Sequence, residues 1–122
     1  MSISLQVLCV EDSENDTALI HRVLEKAGYS VTLLRVETLS EMQAALDEHV
    51  WDVIISDFTL PQFDAPTALS LVKKNNLDIP FIIVSGQVGE ETAVSLLKAG
   101  AHDYLYKEHL DRLIPVVKRE LD

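Results

Sequence analysis

Val53-Ile54-Ile55-Ser56-Asp57 is a short apolar run that ends in a hydroxyl and a carboxylate. Three consecutive β-branched residues offer no polar side to water, which is typical of a central strand buried on both faces. Strands of this kind belong to parallel sheets that helices cover on both sides, so the run predicts an α/β fold. It also places Asp57 at the carboxyl end of a buried strand.

Further apolar runs flank this strand and alternate with stretches of helical spacing. The predicted strands are residues 5–10, 31–36, 53–55, 81–84 and 104–106. The predicted helices are one between the N-cap Ser13 and the stop Gly28, then residues 39–48, 67–74, 90–99 and 110–121. Five strands alternating with five helices require right-handed crossovers. The sequence therefore predicts a doubly wound five-stranded parallel sheet.

Size and charge limit the classes of function. With 122 residues, 48% of them hydrophobic, we expect one domain over residues 1–122. The net charge of −10 repels phosphate backbones and anionic lipid headgroups, which argues against binding to nucleic acid or membrane surfaces. No apolar stretch approaches the length of a membrane span and no secretory leader is visible, so we expect neither insertion nor export. Cys9 is the one cysteine and lies in an apolar strand, which favours a reducing, cytoplasmic compartment.

Polar residues follow the predicted strands where an open parallel sheet binds its ligands, outside the carboxyl ends of the strands. They are Glu11 and Asp12, then Asp57, Ser85 and Lys107. Clustered carboxylates in a partly dry site must hold protons or bind a cation. An all-oxygen site that also handles phosphate fits Mg²⁺. The four histidines show no ligand spacing and there is no second cysteine, which argues against zinc.

These residue types suit phosphoryl transfer, which needs mainly positioning and neutralisation of charge. With Mg²⁺ held by the acids, one carboxylate can act as the nucleophile, and Asp57 at the end of the most buried strand is the best candidate. Lys107 would place a positive charge on one phosphoryl oxygen, and the Ser85 hydroxyl would donate to another.

Four segments match a known family in the same order along the chain. They are Val10-Glu11-Asp12, Ile55-Ser56-Asp57-Phe58-Thr59-Leu60-Pro61, Val84-Ser85-Gly86 and Lys98-Ala99-Gly100-Ala101-His102-Asp103-Tyr104-Leu105-Tyr106-Lys107. Through them the chain resembles, over its whole length, the receiver domain of two-component response regulators, in the form of a chemotaxis-type single receiver. The resemblance implies a flavodoxin-like fold with sheet order 2-1-3-4-5.

The resemblance also implies the input chemistry. Asp57 would accept a phosphoryl group from a histidine kinase or a histidine phosphotransfer protein. Asp12 and Asp57, together with the Thr59 carbonyl, would ligate Mg²⁺, and Glu11 would act directly or through water. The chain would then be no enzyme beyond its own phosphorylation and dephosphorylation.

The remaining family positions concern the phosphoryl group and the conformational switch. Ser85 and Lys107 would hold phosphoryl oxygens, and Tyr104 matches the aromatic that turns inward as the serine moves toward the phosphate. One departure is Glu108, which follows the lysine where the family commonly has a proline in a cis peptide. The orientation of the Lys107 side chain therefore depends on a loop that lacks this proline.

Three other functions are alternatives to this one. A haloacid-dehalogenase-type phosphatase would need a second acid two residues after the nucleophile, where this chain has Thr59. A flavodoxin-like cofactor binder would need Ser, Thr and Gly donors after the first strand, where residues 11–14 carry negative charge. The third is a pseudo-receiver that binds partners without being phosphorylated.

The output is the part that the sequence leaves open. In the family, the face formed by the fourth helix, the fifth strand and the fifth helix often contacts the partner, so we expect residues 87–91 and 104–109 to form this surface. A monomer and a phosphorylation-dependent dimer are both compatible with the sequence. So are a stand-alone regulator and a piece of a larger regulator or hybrid kinase.

Overall fold

A five-stranded sheet forms the centre of the computed structural model, which describes residues 3–58, 60–86 and 89–121. The strands are β1 (Ile3–Val10), β2 (Tyr29–Val36), β3 (Val53–Ser56), β4 (Phe81–Ser85) and β5 (Asp103–Tyr106). Their order is β2-β1-β3-β4-β5, and all four neighbouring pairs are parallel. The predicted fold class and strand order are therefore confirmed.

Five α-helices connect and follow the strands. They are α1 (Glu14–Lys26), α2 (Leu39–Glu48), α3 (Ala65–Lys74), α4 (Glu90–Ala99) and α5 (Leu113–Leu121). Side chains of Ser13, Thr38 and Asp64 accept backbone N–H groups at the starts of α1, α2 and α3. Gly100 ends α4 with a φ of 119°, a left-handed conformation that glycine adopts without steric cost. None of the helices in these ranges is long and apolar enough to cross a membrane.

Two helix boundaries differ from the sequence prediction. The prediction of one helix over residues 110–121 was wrong at its start, because a 3-10 helix spans Lys107–Arg112 and His109 has non-helical dihedral angles. Helix α3 begins at Ala65 rather than near residue 67, since Pro66 lies in its first turn. A proline is tolerated there because the first N–H groups of a helix have no partner within the helix.

Two apolar layers hold the sheet between helices. Alternate residues of β3 point into opposite layers: Ile54 packs with residues of α2 and α3, whereas Val53 and Ile55 pack with residues of α1 and α5. All three side chains are buried, as the run of β-branched residues predicts. Burial on both faces fixes the position of β3 relative to its neighbouring strands. It therefore also fixes the position of Asp57 at the edge of the sheet.

Candidate functional site at the carboxyl ends of the strands

The carboxylates that follow β1 and β3 come together because these strands are neighbours in the sheet. Val10 pairs with Ser56 in the register, so the next residues, Glu11 and Asp57, leave the sheet side by side. One carboxylate oxygen from each of Glu11, Asp12 and Asp57 lies within 4.8 Å of the other two. The structure thus brings together three of the predicted site residues at one edge.

Asp57 is the most central of these acids. Its Oδ1 accepts a hydrogen bond from the backbone N–H of Phe58 at 2.7 Å, and its Oδ2 accepts one from Lys107 Nζ at 3.2 Å. The side chain is 13% exposed, so it is shielded by protein yet reachable from solvent. The two carboxylate oxygens therefore face different surroundings, and Oδ2 is the one beside the lysine.

Lys107 begins the 3-10 helix after β5, and its ammonium group reaches back over the acids. Nζ lies 3.3 Å from Glu11 Oε2 and 2.7 Å from Asp16 Oδ2, in addition to its contact with Asp57. Burial lowers the pKa of Lys107, but the hydrogen bond to Asp16 and the negative charges of Glu11 and Asp57 outweigh burial and raise the pKa above its usual value. Glu108 follows without a cis peptide, which occurs nowhere in the described ranges, and Lys107 still points into the site.

Glu11 is the acid that the fold buries most deeply. It is 2% exposed, and its Oε1 accepts the backbone N–H of Ser13 at 3.1 Å. Burial and the charge of Asp57 raise the pKa of Glu11 to about 7, although Ser13 and Lys107 favour the charged form. A divalent cation in contact with this carboxylate would displace its proton and relieve its repulsion with Asp57.

The donor set of this edge fits Mg²⁺. Glu11, Asp12 and Asp57 supply only carboxylate oxygens, which are the ligands that a hard cation prefers. Asp12 is exposed, which leaves a route from solvent to the cluster. The Thr59 carbonyl, the fourth predicted ligand, lies outside the described residues.

Ser85 and Tyr104 lie on neighbouring strands next to this cluster. Ser85 ends β4 and is buried, and Tyr104 belongs to β5. The Tyr104 hydroxyl is buried and makes no hydrogen bond to any residue within the described ranges. Burial raises the pKa of Tyr104, and the nearby Ser85 side chain offsets part of this rise. The tyrosine thus has its polar end inside the fold and unsatisfied.

The family model described as the response regulator receiver domain matches residues 7–118. This chain belongs to the response regulator receiver family. The transcriptional regulatory protein ZraR of Salmonella typhimurium is 31% identical over 118 residues, which are 96% of this chain and 26% of ZraR. The receiver thus spans about a quarter of the length of the first curated relatives that it matches.

Solved receiver structures share the fold of this receiver closely. The signal receiver domain of a putative LuxO repressor from Vibrio parahaemolyticus has a TM-score of 0.86 and 28% identity, covering 98% of this chain and 91% of that one. The beryllofluoride-activated NtrC4 receiver domain dimer has a TM-score of 0.83 and 29% identity, covering 95% of each chain. Receiver domains are typically signalling domains of two-component systems rather than enzymes, and they typically bind Mg²⁺ at an acidic pocket.

Two residues of this receiver's site were not predicted as site residues. Asp16 contacts Lys107, which is 91 positions away in sequence. An acid in the first turn of a helix predicts only a favourable interaction with the helix dipole, so the sequence carries no signal for this contact. Arg35, at the end of β2, donates to the Glu11 carbonyl at 3.3 Å and pairs with Glu14 at 3.4 Å, and so ties the loop after β1 to the edge strand.

Proposed function

We propose that this chain is the phosphoacceptor of a two-component phosphorelay, with Asp57 as the phosphorylated residue. A histidine kinase or a histidine phosphotransfer protein supplies the phosphoryl group, and Mg²⁺ is required. The observation that carries the proposal is the Asp57 carboxylate, hydrogen-bonded to Lys107 and within 4.8 Å of carboxylate oxygens from Glu11 and Asp12. Residues 1–122 would act as one receiver domain in the cytoplasm.

The proposed reaction is an in-line displacement at phosphorus. Asp57 Oδ2 attacks the phosphorus of a phosphohistidine, a P–O bond forms, and the P–N bond breaks as the imidazole nitrogen takes its electron pair. Lys107, which already faces Oδ2, neutralises charge on a phosphoryl oxygen, and the Ser85 hydroxyl donates to another.

The proposed metal ligands are Glu11, Asp12, Asp57 and the Thr59 carbonyl. When bound there, Mg²⁺ would supply neutralisation of the negative charge that the phosphoryl group brings to a cluster of acids. The raised pKa of Glu11 supports this assignment, because a buried carboxylate beside Asp57 gains from a cation.

The proposed output is a conformational switch that changes partner binding. Ser85 would move toward the phosphoryl group, and the unsatisfied Tyr104 hydroxyl, next to Ser85, would respond to that movement. The output surface would be the face of α4, β5 and α5, including residues 104–109 and 89–91; residues 87 and 88 of the predicted surface lie outside the described residues. The output partner would be a protein, with this chain acting as a monomer or as a phosphorylation-dependent dimer, and not nucleic acid or membrane.

The test is the intact mass of the protein after incubation with Mg²⁺ and acetyl phosphate. We expect the wild type to gain one phosphoryl group and Asp57→Asn to gain none. Asp78→Asn is the matched control, because it removes an exposed acid on the loop before β4 and should still be phosphorylated. Chelation of Mg²⁺ with EDTA should abolish the gain.

Each other outcome favours a specific alternative. A wild type that binds Mg²⁺ without gaining mass would be a pseudo-receiver. Gain in Asp57→Asn as well as in the wild type would mean that another residue is the acceptor. Turnover of an external phosphate ester would indicate a phosphatase of the haloacid-dehalogenase type.

A further inference from the structure

The shortest contact of Lys107 is with an acid that the proposed reaction does not use. Lys107 Nζ donates to Asp16 Oδ2 at 2.7 Å, against 3.2 Å to Asp57 Oδ2. Since both oxygens contact the same nitrogen, they lie less than about 6 Å apart. Asp16 therefore competes with Asp57 for the lysine charge that the phosphoryl group requires.

Helix capping does not account for the orientation of Asp16. It is the third residue of α1 after the N-cap Ser13, a position where an acid commonly accepts the N-cap N–H in a capping box. Helix α2 has that arrangement, with Glu41 accepting the N–H of Thr38. In α1 the Ser13 N–H goes to Glu11 instead, and the Asp16 carboxylate is left to bind Lys107.

We infer that Asp16 is a positioning residue that holds Lys107 in the unphosphorylated protein and releases it when Asp57 is phosphorylated. The inference rests on the proposed function. In the unphosphorylated state, Asp16 anchors the lysine at the edge of the acidic cluster. A phosphoryl group on Asp57 Oδ2 has to draw Lys107 away from Asp16, so the ion pair opposes the phosphorylated state.

The direction of the effect follows from which state contains the pair. Removing the Asp16 charge destabilises only the unphosphorylated state, in which Lys107 is paired with it, so an anion at Asp57 binds more tightly. Asp16 is 33% exposed and solvent weakens its pairing with Lys107, so we expect a change of about three- to tenfold rather than several orders of magnitude. The ion pair thus sets how readily this receiver is activated.

The test is a titration with beryllofluoride at saturating Mg²⁺, with the amide resonance of Phe58 as the readout. This amide is informative because it donates to Asp57 Oδ1. Asp16→Asn should bind beryllofluoride about three to ten times more tightly than the wild type. Asp16→Glu, which can restore the ion pair, should return the affinity toward that of the wild type. Glu14→Gln is the matched control, since it removes an acid of the same helical turn that is 84% exposed and pairs with Arg35.

A double-mutant cycle with Lys107→Met tests whether Asp16 acts through the lysine. In the Lys107→Met background, Asp16→Asn should leave the affinity unchanged, and titration into the millimolar range keeps the weaker variants measurable. An equal gain in both backgrounds would overturn the inference, because Asp16 would then act by direct repulsion. So would a gain in Glu14→Gln as large as that in Asp16→Asn, or no gain in Asp16→Asn. A wild type that does not bind beryllofluoride would refute the proposed function, and the inference with it.

Discussion

The buried carboxyl of Glu11 contributes to stability in a way that depends on pH when no metal is bound. Its ordinary pKa of 4.5 applies to the unfolded chain, whereas burial and the charge of Asp57 raise the pKa to about 7 in the fold. Between these values the folded state keeps a proton that the unfolded state has lost. The contribution of Glu11 to stability is therefore highest below pH 4.5, falls as pH rises toward 7, and stays low above it.

The size of this loss follows from the two pKa values. Each pH unit between them is worth about 1.4 kcal/mol, which sets an upper bound of about 3–4 kcal/mol. Because the neighbouring Asp12 is exposed, screening by solvent makes the expected figure smaller than this bound. We expect Glu11→Gln, which keeps an acceptor for the Ser13 N–H but carries no charge, to be about 1–3 kcal/mol more stable than the wild type at pH 8. At pH 4.5 the two proteins should be equally stable.

The assay is urea unfolding in EDTA at pH 4.5 and pH 8, followed by the fluorescence of Trp51, which is buried in the fold. With a denaturant dependence of about 1–3 kcal/mol per molar urea, the midpoint at pH 8 should rise by roughly 1 M. Glu41→Gln provides a control of opposite sign. Hydrogen bonds from the backbone of Glu37, and from the side chain and backbone of Thr38, lower the pKa of Glu41, so its substitution should destabilise the protein at neutral pH.

Two results would refute this reasoning. An advantage of Glu11→Gln that is the same at both pH values would mean that packing, and not titration, causes it. A variant less stable than the wild type at pH 8 in EDTA would mean that the carboxylate is net stabilising in the fold. Saturating Mg²⁺ should reverse the order at pH 8, because the wild type gains binding energy that the variant lacks.

The other predictions concern the core and one helix end. Burial raises the pKa of Cys9 to about 12, so a thiol reagent at pH 8 should label the protein only after denaturation; rapid labelling of the native protein would contradict the buried position. Gly100→Ala should cost about 1–3 kcal/mol, because the residue has a φ of 119°, a left-handed conformation that a residue with a Cβ adopts only with strain. Gly86→Ala, whose methyl group would meet nothing within 4 Å, is the control in the same thermal melts, and an equal loss in both variants would exclude the strain argument.

The spacing of apolar residues predicted the strands and helices well where a segment buries one face or both faces in the core. The β-branched run at residues 53–55 indicated a strand buried on both faces, and the structure has it there. The end of the chain was harder to predict, because the three-residue step from Leu110 to Leu113 suits a 3-10 helix as well as an α-helix. His109, inside the 3-10 segment Lys107–Arg112, has non-helical dihedral angles that the sequence does not signal.

Some features of the candidate site could also be predicted from the sequence, and others could not. Strand ends in the sequence were sufficient to select Glu11, Asp12, Asp57, Ser85 and Lys107, because parallel strands deliver their carboxyl ends to one edge. The strand order that makes β1 and β3 neighbours came from the family resemblance and not from the pattern of hydrophobic residues. The buried and unsatisfied Tyr104 hydroxyl could not be predicted at all, since its surroundings come from several elements.

The amino-acid sequence alone establishes an α/β sheet with acids at one edge. Two features were enough: the alternation of apolar runs with helical stretches, and the identity of the residues that end these runs. Which acid holds the lysine was decided only by the folded chain. Lys107 and Asp16 are 91 positions apart, and they meet because the fold packs α1, which follows β1, against the 3-10 helix that follows β5. Hydrophobic periodicity is a local property of a sequence, whereas an ion pair depends on the distance between two charges in space.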